Sequence, residues 1–457
     1  MATNQAVLAS GAREQRISGI RVAFTALAGT SIEWYDFFLY GTAAALVFPT
    51  VFFDQGLPPF VSLLASFSTF AVGFIARPIG GILFGHFGDR IGRKTALVTA
   101  LVMMGVATTL IGCLPSYAII GAAAPALLIL LRFVQGLAIG GQWGGAVLLA
   151  TECAPPNKRG LYGSFAQAGA PVGVILANLA FLLVSANTSQ EAFLLWGWRI
   201  PFIASMLLVA LAMYVQLRLE DSPAFEKVRA TKAVTRPTES KSPVLDALRM
   251  YPKQIALAAG AFLAVQVTFY ILIAFVVAYG TSPALGLNLS RETMLVGVLV
   301  GAVVMVPAIF ISGALSDRYG RRGIFMAGAI LLGLWGFGLF PLIDTGSLLW
   351  ISVAVGVGQI LVAMMYGPQA AFLAEMFSTR VRYSGASLGY QLGAIIGGAL
   401  APLLATSLLA KFGSSLAISI YIAIACAITT VSVILLGETY QAEMHEWSEG
   451  ESQHDTT

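Results

Sequence analysis

Two carboxylates and a phenol share one face of the first long apolar segment. Glu33, Asp36 and Tyr40 stand at i, i+3 and i+7 in GTSIEWYDFFLYG, Gly29 to Gly41, a spacing that puts them on one stripe of a helix. Glu33 lies about 12 residues into that segment, roughly 18 Å along it at 1.5 Å per residue. Two cations lie in comparable segments, Arg77 in FIARPIGG and Arg132 in LRFVQGLAIGG. A charge at the bilayer centre costs at least about 2.5–3.5 kcal/mol on insertion scales, so each of the four needs a partner or a task. With both carboxylates ionised the four charges cancel. Protonating one carboxylate would release an arginine to hold an acid, so that a proton and an anion each favour the other's binding. Asp36 is expected to be the proton site, Glu33 the second, and Arg132 their partner and the holder of an anion. A permanent Asp36–Arg132 ion pair is the structural alternative. Arg77, followed by Pro78, is expected to be structural, and Arg199 to anchor the outer end of a helix.

The elements that must position these groups are membrane-spanning helices. The chain has 457 residues, of which 58% are hydrophobic and 11% charged, against roughly 25% charged in soluble domains. A spanning helix needs about 20 mostly apolar residues. Twelve segments qualify: 21–49, 59–85, 95–114, 122–151, 160–186, 199–219, 254–280, 293–315, 324–344, 348–376, 383–410 and 415–437. They are continuously apolar, which excludes the alternating pattern of a membrane β-barrel. Lys and Arg set the orientation. With the N-terminus inside, all of the 26 except Arg291, Lys411, Arg77, Arg132 and Arg199 fall in cytoplasmic segments. The expectation is an all-α integral membrane protein of twelve helices with both termini cytoplasmic. Residues 1–20 read as a cytoplasmic tail, 21–219 as one six-helix bundle, 220–253 as a surface linker, 254–437 as the second bundle and 438–457 as a solvated acidic tail. The same bias accounts for the net charge of +4, so no nucleic-acid partner is expected. The first 20 residues are polar and the first apolar segment is too long for a cleavable leader. Cys113, Cys153 and Cys426 show no disulfide framework or metal-ligand spacing.

A ten-residue pattern occurs twice, 228 positions apart: GHFGDRIGRK from Gly85 and GALSDRYGRR from Gly313. Both fit G-x-x-x-D-R-x-G-R-(K/R), between apolar segments. A duplicated chain with a charged hinge at matching places suits two halves that move against each other. Gly85 and Gly313 would let a neighbouring helix approach closely. Asp89 and Asp317 would satisfy free amides at a helix N-terminus or pair with an arginine. Arg90, Arg93, Arg318 and Arg321 would reach helix C-termini or a carboxylate across the interface, with Glu152 and Glu375 as candidates. Glu152-to-Arg159 and Glu375-to-Arg382 share one spacing.

The doubled pattern, with Arg132, Gln135 and Gly136 in LRFVQGLAIGG, resembles the major facilitator superfamily. GTSIEWYDFFLYG, GGQWGGAVLLATE, WGWRIPF and EMFSTRVRYSGASLGYQ narrow the resemblance to the bacterial metabolite:proton symporters, over nearly the whole chain. It implies two pseudo-symmetric six-helix bundles around a central cavity, in the bacterial cytoplasmic (inner) membrane. It also implies proton-driven uptake of a small polar metabolite, as in carriers of shikimate, 2-oxoglutarate, citrate, or proline and betaine. The proton is the coupling ion, no cofactor is expected, and one chain is expected to suffice. Many relatives carry Glu where this chain has Gln142. Losing that carboxylate makes the cavity more electropositive and favours an organic acid, cyclic or aromatic included, over an osmolyte.

The C-terminal half offers polar but uncharged membrane positions: Gln266 and Tyr270, Gln359 and Tyr366, Ser387 and Gln391. The fifth helix adds Gln167 and Asn178. The offset of 223 between Glu152 and Glu375 maps Trp143 onto Tyr366, so aromatics from facing helices are expected to flank one solute. Arg132, Tyr40, Gln135, Gln142, Trp143, Gln167, Gln266, Tyr270, Tyr366 and Gln391 form the expected solute site. The first half would couple the proton and the second would help select the solute. Each polar residue is otherwise interhelical glue. Competing readings are a betaine- or proline-type carrier using cation–π contact, an exporter suggested by GAPVG (Gly169 to Gly173), and a receptor on a carrier scaffold. His86, His445 and His454 form no nucleophile–base arrangement, so an enzyme is not expected.

Overall fold

In hydrocarbon a long apolar chain can satisfy its own N–H and C=O groups only within a helix or a closed barrel. The computed structural model describes residues 24, 26–91, 93–140, 151, 154–220, 243–282, 285, 287–377 and 382–440, with the side chains of 85–97, 156, 211–212, 214–220, 243–246 and 382–383 outside that description. Among the described residues the structure is helical, without strands. The twelve long helices are α1 (26–46), α2 (Pro59–Ile91), α3 (Arg93–Cys113), α4 (Ala123–Gly140), α5 (Arg159–Ala186) and α6 (Arg199–Glu220), followed by α7 (Pro252–Tyr270, continuing to Thr281), α8 (Arg291–Tyr319), α9 (Arg321–Asp344), α10 (Leu348–Met376), α11 (Arg382–Gly393, continuing to Phe412) and α12 (Leu416–Leu436). Among the described residues nine of them are long and apolar enough to cross a membrane, and α6 makes ten when joined to the preceding turn, Gln190–Gly197, from which it bends by 45°. The other two are α3, whose apolar part is the shorter Val98–Cys113, and α1, which contains Glu33 and Asp36.

The helices pack in two groups. In the first, α2 lies on α4, and α3 lies on α4 and α6; in the second, α8 and α9 lie on α10, and α7 and α9 lie on α12. The seam between the groups is α5 against α8 and α10, and α2 against α11. Two helices of the second group carry π-turns, Ile271–Phe275 in α7 and Ala394–Ala399 in α11. Such turns are frequent at functional sites.

The repeated ten-residue pattern, expected as a charged hinge between apolar segments, is itself mostly helix. Helix α2 runs on to Ile91 and α3 starts at Arg93; α8 runs on to Tyr319 and α9 starts at Arg321. Charged residues beyond the apolar span do not end a helix, because the backbone ladder continues whatever the side chains face. In the second copy the ladder stops at Gly320, whose φ of +91° is left-handed.

Small residues let α2 and α4 meet backbone to backbone. A Cβ on Gly140 would fall 1.9 Å from the Arg77 carbonyl oxygen, and one on Gly80 would fall 2.0 Å from that of Leu137. Packing of this kind drives helix association where no hydrophobic effect operates between helices. Gly80→Leu is therefore expected to destabilise the first group by about 1–3 kcal/mol or more, the cost of overpacking. A fluorescence-monitored thermal scan in detergent checks it, and an unchanged midpoint would refute this crossing.

Candidate functional site

The first group buries four charges. Glu33 and Asp36 on α1 are 4% and 1% exposed, Arg77 on α2 is 1% and Arg132 on α4 is 0%. They do not form the Asp36–Arg132 ion pair of the structural alternative. The Arg132 guanidinium instead lies on ring faces, 4.1 Å from the centroid of Tyr40, 4.2 Å from Phe37 and 4.9 Å from Phe70. Arg77 covers the other rings of the same cluster, at 4.2 Å from Phe37, 4.6 Å from Phe74 and 5.3 Å from Trp34. A cation over an aromatic face is attracted by the ring quadrupole, so the rings take the place of the carboxylates. Asp36 faces the hydroxyls of Thr108 and Ser205 on α3 and α6, and the cation acting on Glu33 is Arg77. Among the described residues, both oxygens of Asp36, Oε1 of Glu33, and Nε and Nη2 of Arg77 and Arg132 have no hydrogen-bond partner. Arg132 Nη1 donates to Gln135 at 3.1 Å, and Gln135 Nε2 donates to Thr108 at 2.6 Å. Gln135 is thus committed to Arg132, and Tyr40 donates its hydroxyl to Thr69 at 2.6 Å.

Beside this cluster, on the seam, an aromatic box is closed down to narrow gaps between its side chains, with little more than the room of one water. It is lined by Trp34, Ala170, Val265, Gln266, Phe269, Tyr270, Tyr366 and Tyr390. Tyr366 stacks on Phe269 at 6.4 Å, and Tyr270 meets Phe74 edge-on at 5.0 Å. Of the residues expected to bind a solute, Gln266, Tyr270 and Tyr366 converge here. Gln167 borders the box through a hydrogen bond from Nε2 to the Tyr366 carbonyl, 3.3 Å. Gln391 is buried on α11 with Oε1 unpartnered and is not part of the lining. Gln142 and Trp143 lie outside the described residues. Trp34, Phe269, Tyr390 and Arg77 were not read as site residues. The window of α7 is 94% buried, and a helix covered all round has no apolar periodicity to show which face looks into a cavity.

The end of the bundle that carries the repeated pattern is closed by one network. Asp317 accepts hydrogen bonds from the Gly160 and Leu161 amides at the start of α5, both 2.8 Å. It also pairs with Arg321 Nη1 at 2.6 Å, while Arg321 Nη2 pairs with Glu375 at 3.1 Å. These two pairs stay within the second group, so the expected arginine-to-carboxylate crossing falls to Arg159, 4.0 Å from Glu375. Gly313 faces α5, where a Cβ would lie 1.9 Å from Ser164 Oγ and 2.8 Å from the Gly160 carbonyl oxygen. Arg318 is exposed, with its guanidinium over Tyr319 at 5.3 Å. The side chains of Gly85, Asp89, Arg90, Arg93, Glu152 and Arg382 lie outside the described residues.

The start of the acidic tail joins this network instead of being solvated. Glu438 accepts from the Arg321 and Arg322 amides at 2.9 and 3.1 Å. Thr439 donates to Glu375 at 2.9 Å and Tyr440 donates to the Asp317 carbonyl at 2.6 Å. The first amides of α9 have no partner within their own helix, and this carboxylate supplies one. At the far end of the seam, Ser185 of α5 donates to Glu292 of α8, and Arg291 lies over Phe193 at 4.1 Å. With both ends tied, the box is occluded.

A family model described as sugar (and other) transporter matches residues 22–450. The chain is 43% identical to an inner membrane metabolite transport protein, YhjE, of Escherichia coli strain K12, over 92% of this chain and 94% of that one. It is 40% identical to the shikimate transporter of the same strain, over 92% and 95%, and 32% identical to a proline/betaine transporter of Salmonella typhimurium, over 92% and 84%. The crystal structure of a D-xylose-proton symporter shares the fold, with a TM-score of 0.70 at 19% identity over 92% of this chain and 98% of that one. With its all-helical architecture, its apolar spans and these matches, the chain belongs to the sugar (and other) transporter family of the major facilitator superfamily and is a multi-pass membrane transporter of small molecules.

Proposed function

We propose that the protein is a proton-coupled symporter that takes up a small organic acid by alternating access across a bacterial cytoplasmic membrane, with both termini in the cytoplasm. The observation that carries this reading is the set of four buried charges left without ion pairs. Two arginines rest on rings with N–H donors free, and neither carboxylate is ion-paired with them. Buried polar groups are nearly always hydrogen-bonded, so groups left open at a seam suit transient partners. A carboxylate solute supplies the acceptor that Arg132 and Arg77 lack, and a proton neutralises Asp36 or Glu33. The aromatic box suits the flat face of a ring, and the shikimate carrier among the relatives points the same way.

A second reading rests on the same box. Trp34, Tyr270, Tyr366 and Tyr390 also resemble a cage for a quaternary ammonium, and a relative is a proline/betaine transporter. The two guanidiniums beside the box weigh against a cation and leave the acid as the preferred solute. Nothing in the seam favours export over uptake.

The deciding experiment is solute-dependent proton entry into proteoliposomes with an internal pH dye, screening shikimate, protocatechuate, citrate, 2-oxoglutarate and betaine. Acidification with an acid supports the reading, and a response to betaine alone overturns it. Asp36→Asn is expected to abolish proton-driven accumulation while solute exchange persists; retained accumulation would remove Asp36 from the coupling role. Arg132→Ala is expected to weaken binding of the acid about ten- to a hundred-fold, since a hydrogen bond to a charged group is worth about 1.5–3 kcal/mol. Unchanged affinity in equilibrium binding would reject that role. Asp317→Asn is expected to shift the balance between closed and open forms by roughly 1–3 kcal/mol, read as changed turnover at unchanged affinity. Normal turnover would show that the latch does not limit the cycle.

A further inference from the structure

A second, smaller space lies one helical turn beyond the aromatic box, toward the end opposite the repeated pattern. In this form it is closed down to packing gaps between side chains, bordered by Phe38 and Thr42 of α1, Val174 and Asn178 of α5, and Ile273 and Ala274 of α7. The same three helices line the box through Trp34, Ala170 and Tyr270. On each, the step from box to second space is four residues, about 6 Å along helices that run the same way. The second space is therefore on the line from the box to the far end. The Phe38 ring stands between the two, stacked on Trp34 at 5.1 Å and edge-on to Phe269 at 5.5 Å.

The chemistry of the two spaces differs. The box adjoins Arg77, which acts on both Tyr270 and Tyr390. The second space has no charged lining residue, and its polar groups are Thr42 and Asn178. Asn178 is 1% exposed and its Oδ1 has no hydrogen-bond partner. A buried amide oxygen without a donor is costly. A carboxylate, which only accepts, cannot satisfy it. A hydroxyl both donates and accepts, and so meets the amide in either orientation as well as the Thr42 hydroxyl. The α7 wall of this space is the π-turn Ile271–Phe275, a departure from the regular ladder at the place where a solute would pass.

We propose that this second space receives the hydroxyl-bearing end of the solute, with its carboxylate on the arginine side, and that Asn178 and Thr42 select hydroxylated acids over plain ones. This rests on the organic-acid reading above. The protein would hold its solute end-on across the Phe38 ring, and Asn178 would be a specificity-determining residue.

Two probes separate these ideas: shikimate, and 1-cyclohexene-1-carboxylate, which has the same ring and carboxylate but no hydroxyls. Equilibrium binding of both is measured on the purified full-length protein and on Asn178→Leu and Thr42→Val. The expected result is that Asn178→Leu weakens shikimate roughly ten-fold or more while the plain acid stays within about two-fold, because a site built to bond a hydroxyl discriminates against its loss. Thr42→Val, nearly isosteric, shifts the ratio the same way and guards against a folding defect in the leucine variant. Equal losses for both acids in both variants, or no change in either, overturn the inference and leave the organic-acid reading standing. Failure of the unsubstituted protein to bind either acid overturns the inference, while the organic-acid reading falls only if the wider screen of acids in proteoliposomes is also silent.

Discussion

The Asp317 carboxylate is where the two halves are chemically joined. Helix α5 begins with amides that have no partner in their own helix, and the partial positive charge of that terminus favours an anion. Asp317, on the other half, supplies it at 2.8 Å to both Gly160 and Leu161. Once that terminus is held, the rest of α5 follows in register. Gly160 lies against Gly313, with no room for a Cβ on either. One turn on, Ser164 approaches the carbonyls of Ile309 and Gly367 at 3.2 and 3.3 Å. Almost one turn further, Gln167 reaches the carbonyl of Tyr366 at the edge of the aromatic box. A carboxylate at the end of the bundle is thus linked to the wall of the site by a run of contacts along one helix.

Asp317 holds because its own neighbourhood is hydrogen-bonded and paired. Arg321 is fully buried, and a buried guanidinium is tolerated only when its donors are met. Asp317, Glu375 and Ser316 meet them at 2.6, 3.1 and 2.8 Å. Glu438 and Tyr440, placed just after the last helix, close the same network from the other side. Releasing the α5 terminus therefore leaves Arg321 and Glu375 paired, so the seam can open without stranding a charge inside the second half.

The interior of the first half works by the opposite rule. Its arginines are attracted to rings but not saturated by them, and Phe37 serves both Arg77 and Arg132. Electrostatic interactions are strong in so dry a setting. An anion of the kind proposed would compete with ring faces, not with a bidentate carboxylate, and a ring is the easier partner to leave. This is the difference between a structural ion pair and a site that can bind and release.

Much of this architecture was legible in the residue order. Length and hydropathy suffice to place twelve helices, because in hydrocarbon each segment must satisfy its own backbone and only the local ladder does so. The repeat from Gly85 and Gly313 marked the closing end, and the stripe Glu33, Asp36, Tyr40 marked the charged helix. The pattern could not show that its own charged residues stay helical up to Gly320, since hydropathy reports the membrane and not the ladder. Nor could it name partners. Arg132 was matched with Asp36 by sign, yet it faces Tyr40 and Phe37; Trp34, Tyr390 and Arg77 entered the site unannounced; Glu438 turned from solvated tail to helix cap. By itself the sequence determined which segments are helices and which charges must lie within them, because those depend on local hydrogen bonding and transfer energy. The tertiary structure alone decided what each charge faces, because the rotation of a helix about its axis is set by close packing against neighbours distant in the chain.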